Sequence, residues 1–220
     1  MKMIPKILII EGPDNCGKDF VINLINNIIS ENKSWCYPHV EYHCTKPKIP
    51  DNIKSRTNKI NYVTNKYKDI LVAAFDNFNC GYSFVKNELI PEYIIFNRSW
   101  IGEYVYGNIY RDFNDDESDY IQDIIRKYII YDRYYDKENF IYIQLTANID
   151  WLQRNDDNKS LSDNKRELIE LEQKRFNDIY NKIDYCTKYK LCTTSLDENG
   201  NPCWKDKNEL ECELRTILNK

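Results

Sequence analysis

Near the start of the chain stands the stretch Lys6-Ile7-Leu8-Ile9-Ile10-Glu11-Gly12-Pro13-Asp14-Asn15-Cys16-Gly17-Lys18-Asp19. Its first half is an almost continuous apolar run, which is typical of a strand covered on both faces of a parallel sheet. Its second half fits the pattern G-x-x-x-x-G-K and opens a helical pattern. Glycines let the backbone wrap a phosphate with its N–H groups, and a helix N-terminus adds positive potential. The stretch therefore predicts a strand, a phosphate-binding loop and a helix.

Further along the chain, apolar runs alternate with helical patterns, as in parallel α/β sheets. Strands are predicted at residues 6–11, 40–44, 93–97, 140–146 and 189–193. Helices are predicted at about 17–29, 58–78, 82–89, 116–134, from 149, at 165–183 and at 208–218. Residues 197–202 have the composition of a turn, and the polar stretch 155–164 that of a loop.

Length and charge limit the classes of function. The chain has 220 residues, a length that predicts one domain. Its net charge is −4, which excludes a polybasic nucleic-acid binder. No apolar run is long enough to cross a bilayer or to serve as a signal peptide, so we expect a cytoplasmic protein, in the host cytoplasm if it is viral. The eight cysteines are then expected to be reduced thiols.

The residues of the loop are the candidate ATP-binding residues. Lys18 would reach the phosphoryl oxygens as a mobile point charge. Asp19 stands where a Ser or Thr hydroxyl usually binds Mg²⁺, and its carboxylate can serve as a direct metal ligand in its place. The alternative is a site that has lost its activity. The proposed phosphate-binding set is Gly12, Asn15, Cys16, Gly17, Lys18 and Asp19.

The residues Ile9-Ile10-Glu11-Gly12-Pro13-Asp14, through Gly17-Lys18, resemble the start of thymidylate kinases and related viral deoxynucleoside-monophosphate kinases. Segments 71–75, 94–99, 102–111, and 145–147 with 152–154 resemble further parts of that family in the same order. The resemblance covers nearly the whole chain. It implies one P-loop nucleotide kinase domain over residues 1–220, with a mobile lid at about 153–166. It also implies a three-layer α/β fold whose five-stranded parallel sheet has the order 2-3-1-4-5.

The same resemblance implies roles for single residues. Asp14 would hold the 3′-hydroxyl of the acceptor nucleotide, and Arg98 would grip the acceptor phosphate through its planar fork of donors. Arg154 would lie in or beside the lid over the transferring phosphoryl group, and Glu11 would be a ligand of metal-bound water or a base. Three further lid cations are Lys159, Lys165 and Arg166, although the last two also fit a solvated helix face.

Two departures from the family pattern affect the metal and the base. Asn97 stands where the family usually has Asp, so it would orient a metal-bound water while Asp19 binds the metal. No arginine lies on the base-pocket helix near 73–74, which weakens a preference for thymine. Phe75 and Tyr104 are candidate acceptor-binding residues. Together with Phe78, Tyr82 and Trp100 they can stack on a base or belong to the core.

We therefore expect Mg²⁺-dependent, in-line transfer of a phosphoryl group from ATP to a (deoxy)nucleoside monophosphate, and, from the resemblance alone, a homodimer. We expect neither a membrane nor a stable nucleic-acid partner. A deoxynucleoside kinase with Glu11 as the base is the nearest alternative. A nucleotide-binding protein with weak or no catalysis is another, and a kinase acting on a modified base within DNA is a third.

Overall fold

The computed structural model describes residues 5–31, 39–43, 47–84, 93–129, 136–155, 160–163 and 165–219. Five parallel strands form the central sheet in the order β2-β3-β1-β4-β5. Three of them have the predicted bounds, whereas β2 and β5 each begin earlier than predicted. The strands are β1 (Lys6–Glu11), β2 (His39–His43), β3 (Tyr93–Asn97), β4 (Phe140–Thr146) and β5 (Thr187–Cys192).

Helices cover both faces of this sheet, as the predicted three-layer architecture requires. Helix α4 begins with a capping box, in which Asn114 and Glu117 each accept a hydrogen bond from the other's backbone N–H. The helices are α1 (Lys18–Ser30), α2 (Arg56–Phe84), α3 (Glu103–Tyr110), α4 (Asp115–Lys127), α5 (Ile149–Arg154), α6 (Arg166–Lys182) and α7 (Lys207–Leu218).

The central strand β1 divides the core into two clusters because successive side chains of a strand point to opposite faces. Ile7 and Ile9 pack with residues of α2, α3, α4 and α6. Leu8 and Ile10 pack with residues of α1, α5 and α7. All four side chains are fully buried, so the apolar run is explained by a strand in the middle of the sheet.

Three further features of the fold differ from the sequence-based predictions. Helix α2 continues to Phe84, so the predicted break between two helices near residue 80 is wrong; the remainder of the second predicted helix lies outside the described residues. One interior glycine costs a helix only about 1 kcal/mol, so Gly81 does not by itself end the helix. Helix α3 was not predicted, and the turn at 197–202 joins a hairpin of β6 (Thr194–Leu196) and β7 (Pro202–Trp204) that was not predicted either.

Within the described residues, no helix is both long and apolar enough to cross a membrane. The five cysteines whose side chains are described form no disulfide bond with one another. They are Cys16, Cys186, Cys192, Cys203 and Cys212.

Candidate functional site

The predicted phosphate loop connects β1 to α1 through a backbone that ordinary residues rarely adopt. Gly12, Asn15 and Gly17 all have positive φ, at 155°, 62° and 86°. At Gly12 a Cβ atom would lie 2.7 Å from the carbonyl oxygen of Leu145, so only glycine fits there. The loop thus has the curled shape that lets consecutive N–H groups face one anion.

Lys18 extends back over the loop from the first position of α1. Its ammonium group donates to the carbonyl oxygens of Gly12 at 2.9 Å and Pro13 at 2.6 Å, and it lies 3.7 Å from Sγ of Cys16. The side chain is only 6% exposed. A buried ammonium bonded to backbone carbonyls needs no carboxylate partner, and it can exchange those carbonyls for phosphate oxygens.

Arg98 lies directly after β3, at the carboxyl end of the strand next to β1. Its backbone N–H donates to Ile10, and its guanidinium group forms a 2.8 Å ion pair with Asp14 of the loop. Its φ is 69°, a left-handed conformation that costs a non-glycine residue about 1–3 kcal/mol and that is common at functional sites. Burial opposes the charge of Arg98, but Asp14, Tyr106 and Glu11 together outweigh it, so the pKa of the arginine is raised.

Glu11 lies at the end of β1 with no solvent exposure. Its Oε1 accepts hydrogen bonds from the Ser99 N–H at 2.5 Å, the Ser99 hydroxyl at 3.1 Å and the Gly102 N–H at 3.1 Å. Its Oε2 has no hydrogen-bond partner within the described residues. Burial raises the pKa of this carboxyl, although the charges of Lys18 and Arg98 oppose the shift. Glu11 therefore fixes the turn that carries Arg98.

Asp19 and Asn97, the two departures from the family pattern, meet at the same edge of the sheet. The side-chain amide of Asn97 donates to Oδ1 of Asp19 over 2.7 Å. Asn97 is buried, whereas Asp19 is exposed in the first turn of α1. Within the described part of the chain, no three His, Cys, Asp or Glu residues form a cluster that could hold a metal. The oxygen chemistry nevertheless fits Mg²⁺, which typically takes one or two carboxylates and completes its shell with phosphate and water.

No protein-family model and no curated protein matches the sequence. Solved structures do match the fold. A thymidylate kinase from Ehrlichia chaffeensis superposes with a TM-score of 0.61 at 12% identity, over 97% of this chain and 98% of that one. A thymidylate kinase from Candida albicans gives 0.55 at 12% identity, over 98% and 91%. The YorR protein of Bacillus subtilis, in complex with phosphorylated GDP, gives 0.54 at 13% identity, over 97% and 95%.

The chain has the fold of the thymidylate kinases. The expected five-stranded sheet in the order 2-3-1-4-5 is confirmed. In this thymidylate-kinase fold the candidate residues at the ends of β1 and β3 and in the loop between β1 and α1 come together at one sheet edge. They are Glu11, Asp14, Lys18, Asp19, Asn97 and Arg98.

The predicted lid is described only in part, because residues 156–159 and 164 lie outside the described residues. At its described centre, the Leu161 N–H donates to Oδ2 of Asp14 at 3.3 Å, so this segment touches the phosphate loop. Arg154 is exposed at the end of α5. Arg166 pairs with Asp150 and Glu170 on the surface, as expected of a solvated helix face. Lys165 is exposed and lies 3.5 Å from Asp163.

The aromatic candidates lie mostly inside the thymidylate-kinase fold. Phe75, Trp100 and Tyr104 are at most 4% exposed and belong to the core cluster that packs against α2, α3 and α4. The ammonium of Lys182 lies 4.7 Å from the ring centre of Tyr104. A role for Phe75 and Tyr104 in binding the acceptor base remains a prediction. The side chains of Phe78 and Tyr82 lie outside the described residues.

Sequence reasoning missed three residues that touch the loop from distant parts of the chain. The Thr193 hydroxyl donates to the Cys16 carbonyl at 2.9 Å, and the Tyr106 hydroxyl donates to the Gly12 carbonyl at 3.3 Å. Trp204 lies against Gly17. Only Thr193 carried a usable signal, because it is the final residue of the last predicted strand, and parallel sheets place ligand-binding residues at that end of their strands.

Proposed function

We propose that the chain transfers a phosphoryl group from ATP to a (deoxy)nucleoside monophosphate. The observation that supports this most directly is Arg98, which is held in a strained conformation by Ile10 and Asp14 beside the phosphate loop. A second cation, Lys18, is buried inside the loop itself. Two separately held cations suit a reaction between two phosphate groups, because each can hold one of them.

Each partner of the reaction would have its own binding group. The loop backbone and Lys18 would hold the triphosphate of ATP, because a curled loop at a helix N-terminus offers N–H groups and Lys18 adds a positive charge beside them. Arg98 would hold the acceptor phosphate, because a planar guanidinium can donate two parallel hydrogen bonds to it. Alignment of the two phosphates and stabilisation of their charge provide most of the catalysis in such reactions.

Asp14 would take part in acceptor binding. One of its carboxylate oxygens pairs with Arg98, and the other accepts from the Leu161 N–H. The carboxylate therefore lies between the proposed acceptor arginine and the predicted lid. We propose that it also accepts a hydrogen bond from the sugar 3′-hydroxyl of the acceptor, which would place that sugar under the lid.

Asp19 and Asn97 would hold the Mg²⁺ that accompanies ATP. Asp19 offers an exposed carboxylate at the start of α1, and Asn97 fixes its orientation through one hydrogen bond. A Mg²⁺ ion held by these two residues would supply positive charge beside the phosphates. The amide of Asn97 can also orient a water molecule of the metal's shell.

The position of Glu11 favours a monophosphate over a nucleoside as the acceptor. A nucleoside kinase needs a base that reaches the 5′-hydroxyl of its substrate. Glu11 has no solvent exposure, and three donors of the Ser99–Gly102 turn already occupy one of its oxygens. Its role is therefore to position Arg98, which a monophosphate acceptor requires.

An ATP-consumption screen tests the proposal. Every natural ribo- and deoxynucleoside monophosphate, and the corresponding nucleosides, would be offered with and without Mg²⁺. We expect turnover of at least one monophosphate, only with Mg²⁺, and turnover lower by at least ~100-fold in a Lys18→Ala variant. Turnover of nucleosides alone would support the nucleoside kinase. ATP binding without turnover of any acceptor would support the nucleotide-binding protein.

The assembly state remains a separate proposal. We propose a homodimer, as the resemblance to thymidylate kinases implies. Sedimentation velocity at micromolar concentration distinguishes a monomer from a dimer, because a monomer has a mass of 26.5 kDa and a dimer has twice that mass. A single species of that mass at all concentrations would contradict the dimer.

A further inference from the structure

Trp204 lies against the phosphate loop although it is 187 positions from Gly17 in the sequence. A Cβ atom on Gly17 would lie 3.1 Å from Cη2 and Cζ3, the far atoms of the Trp204 ring. Two hydrogen bonds fix the hairpin in that place. The Lys205 N–H donates to the Thr193 carbonyl at 2.9 Å, and the Thr193 hydroxyl donates to the Cys16 carbonyl at 2.9 Å.

The Trp204 ring remains open to solvent on part of its surface. The residue is 43% exposed, which is unusual for a large aromatic side chain. Trp151 of α5 packs edge-to-face against it, with ring centres 5.1 Å apart and planes at 66°. This contact restricts the orientation of the indole, so a ligand that binds its open surface loses little further side-chain entropy.

We propose that Trp204 stacks on the base of the donor nucleotide. The inference rests on the proposed binding of a nucleoside triphosphate in the loop. Trp204 is the last residue of β7, and the far edge of its indole lies against Gly17, the residue that caps the N-terminus of α1. A triphosphate held by the loop therefore has an apolar ring surface beside it. Base–aromatic stacking uses such surfaces because every base has an apolar face.

This mode of binding predicts the class of donor. Stacking depends on the size and apolar face of the base and does not read the hydrogen-bonding groups on its edge. The larger purine rings cover more of an indole than pyrimidine rings do. The protein is therefore expected to accept both ATP and GTP with affinities within about threefold of each other, and to bind CTP and UTP more weakly.

The test compares ligands with and without a base. Wild-type protein, Trp204→Ala, Trp204→Phe and Leu196→Ala would be titrated with ATP, GTP and inorganic triphosphate by calorimetry. Leu196 is the matched control, because it lies on the same hairpin and is 64% exposed. We expect Trp204→Ala to lower the affinity for ATP and GTP about 10-fold, the scale of one lost stacking contact. The affinity for inorganic triphosphate should be unchanged. Trp204→Phe should retain most of the affinity, and Leu196→Ala all of it.

Equal losses for ATP and inorganic triphosphate would overturn the inference, because they would mean that Trp204 supports only the shape of the loop. Unchanged ATP affinity in Trp204→Ala would overturn it as well, and binding of ATP but not GTP would contradict the predicted tolerance. These measurements require no turnover. A Trp204-dependent affinity in a protein that phosphorylates no acceptor would support the inference while the proposed function fails.

Discussion

The side-chain amide of Asn97 donates a 2.7 Å hydrogen bond to the carboxylate of Asp19 and so joins the end of β3 to the first turn of α1. In the family pattern a hydroxyl follows the loop lysine and a carboxylate precedes the arginine. In this chain the carboxylate follows Lys18 and a neutral amide precedes Arg98. The pair retains one negative charge but places it on the opposite side of the site.

Exchanging the two residues tests whether the carboxylate has changed sides. Asp19→Ser removes the charge, and Asn97→Asp places two carboxylates next to each other, so each single change should weaken the Mg²⁺-dependent part of ADP binding about 10-fold or more. The double change restores one carboxylate and one neutral partner, and it should recover most of the loss. Calorimetry at several Mg²⁺ concentrations measures this, with turnover as a second readout.

Coupling between the two positions is the decisive quantity. The residues are in contact, so a shared metal site requires that their effects are not additive. Losses that simply add in the double variant would mean that Asp19 and Asn97 act independently. Metal-independent ADP binding in the unaltered protein would argue that no metal binds at this pair.

Lys18→Ala is expected to lower turnover at least ~100-fold, because a preorganised positive charge is lost where phosphate charge develops. Lys174→Ala, which removes an exposed lysine of α6, is the matched control and should leave turnover unchanged. Steady-state kinetics with saturating acceptor measure both variants. Near-normal turnover of Lys18→Ala would show that the loop takes no part in the chemistry.

Arg98→Ala is expected to weaken binding of the monophosphate by about 2 kcal/mol or more, because a partly buried charged contact is lost. The affinity for ATP should change little. Arg215→Ala, which removes a surface arginine paired with Glu31 and Glu211, controls for loss of charge and should affect neither nucleotide. Separate titrations with each nucleotide distinguish the outcomes. A weaker ATP affinity with normal acceptor affinity would reverse the assignment of the two sites.

Glu11 should make stability depend on pH. Burial raises the pKa of its carboxyl above the ordinary value of 4.5, so the folded state retains a proton that the unfolded chain releases. Its contribution to stability is therefore complete below pH 4.5 and is lost as the pH rises through the folded pKa. Glu11→Gln, which still accepts from Ser99 and Gly102, should reduce this slope. Urea unfolding from pH 4 to pH 8 measures it, and identical slopes for both proteins would contradict the assignment.

The contact between Leu161 and Asp14 predicts how the described part of the lid responds to ligands. We expect hydrogen exchange at residues 160–163 to slow when both nucleotides are bound, because a closed lid excludes water. Asp14→Ala removes the acceptor of the Leu161 N–H and should speed exchange there in the free protein. Equal exchange rates in free and doubly liganded protein would count against a lid.

The sequence also indicated much of the candidate site. The glycine pattern located the phosphate loop, and the resemblance pointed to Arg98 and to the unusual pair of Asp19 and Asn97. The resemblance assigned Glu11 a chemical role, which stays a prediction, and the structure adds that its carboxyl group accepts hydrogen bonds from the backbone of Ser99 and Gly102. Local sequence gives no signal for these contacts, because Glu11 lies 88 positions from Ser99 and 91 positions from Gly102.

The sequence by itself determined the five strands and the phosphate loop, because continuous apolar runs favour buried strands and glycines favour a curled loop, and the resemblance to thymidylate kinases implied the strand order. Only the tertiary structure decided α3 and the surroundings of the loop. Helix α3 contains Gly107 and several aromatic residues with weak helix propensity, and it is stabilised by the burial of Tyr104, Val105 and Tyr106. Thr193 and Trp204 reach the loop through the packing of β5 and a hairpin, a proximity in space that sequence periodicity does not record.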